Sequence, residues 1–177
     1  HLSIRRQRQM CIRDSFTLYA KWTENEFNVT FDTNSGTAVT AFTTRTAGSL
    51  PNSFTTTRAG YTFAGWFDNI GRTGSPIVFP HSHGQTETFT LYAAWTANDL
   101  NVSFVTNGGS AVTAVVTRTG DSISSAPVAP TRAGYNFVGW FNNAGLTGSV
   151  ISFPFAHGQT GDFTLYAKWE AKTLTVS

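Results

Sequence analysis

Histidine is the residue that most often ligates metals or moves protons near neutral pH. Apart from the first residue, the chain has three: His81, His83 and His157. The stretch His-Gly-Gln-Thr occurs at 83–86 and again at 157–160, whereas the residue corresponding to His81 is Phe155. A metal centre needs three or four converging ligands, and a lone repeated His-Gly supplies one. These histidines are therefore read as turn residues. The carboxylates fare no better. Asp32, Asp68 and Asp162 have Val105, Asn142 and Thr88 at the corresponding positions. Acid–base pairs and calcium cages need several carboxylates at fixed spacing, and none is repeated here. No nucleophile-elbow, phosphate-loop or dinucleotide motif occurs. The expectation is a chain with no catalytic residue, no metal site and no cofactor.

Two further residue types suit recognition. Trp66, Trp95, Trp140 and Trp169 would serve as a sugar-stacking platform if exposed, or as core if buried. A module of this size buries only about 60% of its unfolded surface, and without disulfides large aromatics must supply the burial, about 150–250 Å² each. The tryptophans are therefore assigned to a core with Tyr61, Phe63 and Leu91, and with Tyr135, Phe137 and Leu165. Arg58 and Arg132, each in Thr-Arg-Ala-Gly-Tyr, are read as exposed-turn or salt-bridge residues.

The elements that carry these residues are written twice. GYTFAGWFDNIGRTGS (60–75) pairs with GYNFVGWFNNAGLTGS (134–149), and over 60–95 and 134–169 the two copies agree at 24 of 36 positions. Upstream, VTFDTNSGTAVTAFTTRT (29–46) pairs with VSFVTNGGSAVTAVVTRT (102–119). The shift is 73 residues before, and 74 after, a Ser/Ala/Pro-rich loop between Thr119 and Thr131 that carries one extra residue. FTLYAKW at 16–22 and the Leu174/Val176 pattern extend the repetition at both ends. Periods of this length indicate tandem domains. The expected organisation is a tail of a preceding unit at 16–22, whole units at 23–95 and 96–169, and the start of a following unit at 170–177. This is the pattern of a piece of a longer array.

Composition points to strands. Hydrophobic residues make up 40% of the 177-residue chain, aromatics 14% and charged residues only 12%, with Thr, Ser, Asn and Gly abundant. Phe27, Val29 and Phe31 alternate with polar neighbours, as do Leu100, Val102 and Phe104, the period of a half-buried strand. Asn34-Ser35-Gly36 and Asn107-Gly108-Gly109 supply turns that tolerate positive φ. Second strands are expected at 38–45 and 111–118, third strands at Tyr61–Phe67 and Tyr135–Phe141, and fourth strands at Phe89–Trp95 and Phe163–Trp169. A short helical turn is expected near 47–54 or 120–127. No apolar run approaches the roughly 18 residues of a membrane span.

The formal charge of +2 divides unevenly. Residues 1–15 carry a net +3 and the remainder a net −1, so the body lacks the basic stripe that nucleic-acid binding requires. The leader has no apolar signal-peptide region and shares no period with the rest of the chain. It resembles a translated sequencing adaptor, the alternative being a disordered basic arm. With it go Met10 and Cys11, the single cysteine, leaving no disulfide framework.

The Gly-Tyr-x-Phe-x-Gly-Trp core, the Leu-Tyr-Ala-x-Trp end and the preceding VTFDTNSGTAV resemble the Listeria–Bacteroides repeat, the B-repeat of internalin-type surface proteins. The resemblance covers 16–177. The sequence departs from the usual pattern at Ser35, where a second glycine is expected, and in the longer insertion IVFPHSHGQTET (77–88). The resemblance implies two tandem, mainly β, small β-grasp-like modules with little or no helix, non-enzymatic and extracellular, on the bacterial cell surface or secreted. It implies a stalk or spacer whose partners are the neighbouring repeats, with weak adhesive contacts multiplied by repetition. The alternative is a binding module for a surface glycan or host protein that uses loops 68–88 and 142–162. One regularity speaks to the first reading. Trp22 to Phe27, Trp95 to Leu100 and Trp169 to Leu174 are each separated by four residues: TENE, TAND and EAKT. A floppy tether tolerates length changes because closure entropy grows slowly, so constant length predicts a fixed hinge.

Overall fold

The structure is a computed structural model that describes residues 17–173. The expectations for residues 1–15 and for Leu174 and Val176 lie outside the described residues. Residues 17–25 carry no strand, and Leu18, Tyr19 and Trp22 of the first FTLYAKW copy are exposed. Among the described residues that copy has none of the strand partners that its two later copies possess.

The first module contains β1 (Glu26–Asp32), β2 (Phe42–Arg45), β3 (Ser49–Leu50), β4 (Tyr61–Phe67), β5 (His81–Ser82) and β6 (Phe89–Ala97). The second contains β7 (Asp99–Val105), β8 (Val115–Arg118), β9 (Ser122–Ile123), β10 (Tyr135–Phe141), β11 (Phe155–Ala156) and β12 (Phe163–Ala171). The main sheet of the first runs β2-β1-β6-β4, and that of the second is its copy, β10-β12-β7-β8. The first and last main strands lie parallel at the centre, Val29 opposite Phe89 and Val102 opposite Phe163, while both outer pairs are antiparallel. This is the strand order of a β-grasp sheet without its helix. No described residue is helical.

The expected helical turn is a correction. Residues 46–47 and 119–120 form turns, followed by the two-residue strands β3 and β9, which pair with β5 and β11. The second strands are shorter than expected, four residues each, because only Phe42–Arg45 and Val115–Arg118 face a partner strand.

The covered face of each sheet follows from alternation. Val29, Leu91 and Ala93 are fully buried, as are Val102, Leu165 and Ala167. Chain without regular structure packs over them where a β-grasp helix would lie, bringing Leu50, Phe54 and Phe79 onto the first core, and Ile123, Phe153 and Phe155 onto the second. A register shift between Phe63 and Gly65, repeated between Phe137 and Gly139, bends the third main strand. Gly65 has φ +128, and a Cβ there would stand 2.6 Å from Pro76 Cβ. The second glycine of Gly-Tyr-x-Phe-x-Gly-Trp is thus required by backbone and by space.

Candidate functional site

The repeated histidines lie in turns, whereas His81 departs from the expectation: it stands in β5, opposite Leu50, where a cross-strand pairing replaces a turn. His83 Nδ1 accepts the Gln85 N–H at 3.1 Å, and His157 Nδ1 accepts the Gln159 N–H at 3.0 Å. With Nδ1 an acceptor, the neutral His83 ring must carry its proton on Nε2, which donates to Thr44 Oγ1 at 3.0 Å. Burial, and then the neighbouring His81, hold the His83 pKa below its ordinary 6.5. His157 stacks on Phe163 at 4.9 Å. No group of three or more His, Cys, Asp or Glu side chains converges on a metal-sized space among the described residues.

The carboxylates act as oxygen acceptors, a role that the uncharged counterparts of Asp162 and Asp68 also fill. Asp162 Oδ1 accepts the Asn101 N–H at 2.7 Å, and Thr88 Oγ1 accepts the Asn28 N–H at 3.4 Å in the other module. Asp68 Oδ1 accepts from Asn69 Nδ2, and Asn142 Oδ1 accepts from Asn143 Nδ2, both at 3.0 Å. Asp32 Oδ1 accepts the Asn34 N–H at 2.9 Å and closes the turn. Where a neutral oxygen does the same work, the charge is not what the position uses.

The arginines correct an expectation. Arg58 and Arg132 are half-buried and, among the described residues, form no salt bridge. Each guanidinium lies 3.9 Å from the ring centre of the tyrosine three residues on, Tyr61 or Tyr135. Arg58 Nη1 also donates to the Asn34 carbonyl at 3.2 Å. Among the described residues the surface ion pairs are elsewhere, Arg45–Glu26 and Arg118–Asp99.

Trp66 and Trp140 are 1% and 3% exposed. Trp95 and Trp169 are half-buried and donate to the Thr33 and Thr106 carbonyls at 2.9 and 2.7 Å. Phe63, Trp66 and Trp95 form a ring stack, with centroids 5.5 and 5.3 Å apart, that Phe137, Trp140 and Trp169 copy at 5.4 and 5.5 Å. Tyr61, Tyr135, Phe63 and Phe137 are half-buried, and Leu91 and Leu165 are fully buried. The indoles therefore offer no flat exposed platform.

The place where repeated polar groups converge is the joint between modules. β6 runs to Ala97 and β7 starts at Asp99, so Asn98 alone separates them. Asn98 donates its N–H to the Gly60 carbonyl at 3.0 Å, accepts the Thr119 N–H on its own carbonyl at 3.1 Å, and accepts Thr62 Oγ1 on Oδ1 at 2.7 Å. Gly60 and Thr62 belong to the first module and Thr119 to the second. A Cβ on Gly60 would stand 2.6 Å from Thr119 side-chain atoms, and one on Gly120 would stand 3.0 Å from the Tyr61 hydroxyl. One bond of this set of three recurs at each flank. Thr46 donates its N–H to the Asn25 carbonyl at 3.4 Å, and Lys172 donates its N–H to the Gly134 carbonyl at 2.9 Å. The residues that build this joint were not singled out from sequence; the signal available was Gly60/Gly134 and Thr46/Thr119 standing unchanged in both copies.

The sequence profile of the Listeria–Bacteroides repeat domain matches residues 27–94 and again 101–168. The chain belongs to this family. Each match covers most of one four-stranded sheet and leaves out Asn98. Among curated relatives, the chain is 36% identical over 162 residues to a protein of Evansella cellulosilytica named "Putative membrane protein", covering 91% of this chain and 24% of that protein. It is 34% identical over 171 residues to a "Putative Gly-rich membrane protein" of the same organism, covering 94% of this chain and 19% of the relative. It is also 36% identical over 113 residues to Internalin H of Listeria monocytogenes, covering 64% of this chain and 20% of the relative. The chain thus spans a quarter or less of the length of the curated relatives it matches. No described helix is long and apolar enough to cross a membrane.

Proposed function

We propose that these tandem repeats are a non-enzymatic stalk or spacer of a bacterial surface protein, in which repetition supplies reach. The observation that carries this reading is the joint. A single residue, Asn98, leads from the last strand of one module into the first strand of the next, and it is bonded to both. A tether built for freedom has many rotatable residues and a solvated backbone. Here the backbone N–H, the backbone carbonyl and the side-chain oxygen of the one connecting residue are all occupied. One backbone bond of this joint is repeated at Asn25 and one at Lys172, which supports a joint of the same kind between further units. The surface assignment rests on likeness to Internalin H and to relatives named as membrane proteins, and the neighbouring repeats are the partners it requires.

Small-angle scattering on the chain tests this reading. The expected result is an elongated particle whose maximum dimension approaches twice that of one module, and whose pair-distance profile broadens when Gly-Ser-Gly-Ser is inserted after Asn98. A side-by-side dimension, or a profile that the insertion leaves unchanged, would defeat it.

A further inference from the structure

The first glycine of Gly-Tyr-x-Phe-x-Gly-Trp lies in the left-handed region in both modules, Gly60 at φ +77 and Gly134 at φ +75. The two backbones therefore need glycine equally, but their surroundings differ. A Cβ on Gly60 would stand 2.6 Å from Thr119 side-chain atoms and 3.0 Å from Thr160 Cβ, all in the second module. A Cβ on Gly134 would meet nothing within 4 Å among the described residues. Gly60 is half-buried and Gly134 is exposed.

The residues that close on Gly60 form the front of the second module. Thr119 and Gly120 make the turn after β8, with Gly120 set against the Tyr61 hydroxyl. Thr160 ends the second His-Gly-Gln-Thr stretch, whose turn is closed by the Gln159 N–H donating to His157 Nδ1. The repeated stretch thus has a contact to make: it carries a threonine to the preceding module. The first module bears a similar front, Thr46-Ala47 and Thr86. Thr46 is half-buried, whereas Thr119, which meets a neighbour, is 6% exposed.

Building on the stalk reading, we propose that the corner at Gly134 and Tyr135 is a docking surface for the front of a further repeat, one that presents a Thr-Gly turn and the threonine of a His-Gly-Gln-Thr turn. The occupant is argued from the equivalent corner of the first module, which those residues already fill. The backbone also leaves the two corners alike: Asn98 donates its N–H to the Gly60 carbonyl at 3.0 Å, and Lys172 donates its N–H to the Gly134 carbonyl at 2.9 Å. Corner and front are different surfaces, so the contact is head-to-tail and repeats along an array. It is also selective. Without a Cβ the corner admits two threonines; with one, close-packed atoms have to move. A front like that of the second module fits best, because Ala47 of the first carries the Cβ for which Gly120 leaves only 3.0 Å to the tyrosine hydroxyl.

The test compares matched variants of the full chain by nitrogen-15 relaxation, which reports how fast each module tumbles. In the unmodified chain both modules should share one slow correlation time. Gly60→Ala should shorten it toward that of a single module, whereas Gly134→Ala, with the same backbone cost, should leave it unchanged. In a chain lengthened by a second copy of residues 99–172 after Lys172, the added module should tumble with the other two, and the Gly134 and Tyr135 amides should shift. There Gly134→Ala should release the added module. Asparagine tolerates this φ, so Gly60→Asn and Gly134→Asn repeat the comparison if an alanine variant fails to fold. Separate tumbling in the unmodified chain would remove the stalk reading and this inference together. Shared tumbling that survives Gly60→Ala, Gly134 and Tyr135 amides unmoved by the lengthening, or an added module whose tumbling ignores Gly134→Ala would each overturn the inference while the joint at Asn98 stands.

Discussion

Replacing each core tryptophan by phenylalanine should give unequal losses of stability, although the two residues sit in near-identical surroundings. Trp66 and Trp140 are both buried, and each packs against two phenylalanines at matching distances: 5.5 and 5.0 Å for Trp66, 5.4 and 4.9 Å for Trp140. The packing lost by removing the second ring of the indole is therefore similar in the two modules. The hydrogen bond is not. Trp66→Phe orphans the Phe54 carbonyl, whereas Trp140→Phe removes an N–H that already lacks a partner. The asymmetry of leaving one buried partner behind predicts that Trp66→Phe costs about 1–2 kcal/mol more than Trp140→Phe. Full truncation to alanine should cost roughly 3–5 kcal/mol at either site, the usual range for a buried aromatic. The assay is urea unfolding followed by the amide signals of each module separately, since a two-module chain need not unfold as one unit. Equal losses, or a larger loss at Trp140, would refute the reasoning.

The site geometry gives two further outcomes. The His83 pKa is lowered in the folded state, so the unfolded chain takes up a proton first as pH falls. The first module should therefore keep its full stability above pH 6.5 and lose part of it as pH drops from 6.5 toward the lowered value. His83→Gln should flatten that dependence in urea titrations at pH 8 and pH 5. Gly65→Ala should destabilise the first module by about 2 kcal/mol or more, because φ +128 and the 2.6 Å approach to Pro76 both disfavour a side chain; an unchanged urea midpoint would show that the bulge relaxes freely.

The long strands were legible because their information is local. Tyr61–Phe67 and Tyr135–Phe141 alternate cleanly between turn glycines, and the structure places β4 and β10 at those bounds. The fourth strands run two residues past the expected tryptophan ends, to Ala97 and Ala171, because Tyr61 and Tyr135 still offer partners there. The two-residue strands were not legible. Leu50 pairs with His81 and Ile123 with Phe155, contacts across some thirty residues that leave no local period, and the same residues suggested a helical turn. Among candidate site residues, the turns of His83 and His157 and the interchangeable acceptors at Asp68 and Asp162 could be reasoned from the comparison of copies, whereas the strand position of His81 could not. The cation–π seats of Arg58 and Arg132 could not, since Arg-Ala-Gly-Tyr reads equally well as an exposed turn. The unpartnered Trp140 N–H was also out of reach, because an indole's hydrogen-bond partner leaves no local period. The joint was half legible. The constant four-residue spacing predicted a fixed hinge, but the invasion of that spacer by strands from both sides, leaving only Asn98, is a tertiary fact.

The central claim is that successive repeats are held in one orientation by Asn98 and its neighbours. Residual dipolar couplings on the full chain in dilute aligning medium measure this directly. The account predicts that amides of 26–97 and of 99–171 report one shared alignment tensor, with equal magnitude and direction. It also predicts that Asn98→Gly combined with Thr62→Ala separates the two tensors. Tensors of different magnitude or direction in the unmodified chain would contradict it and leave the repeats as independent beads.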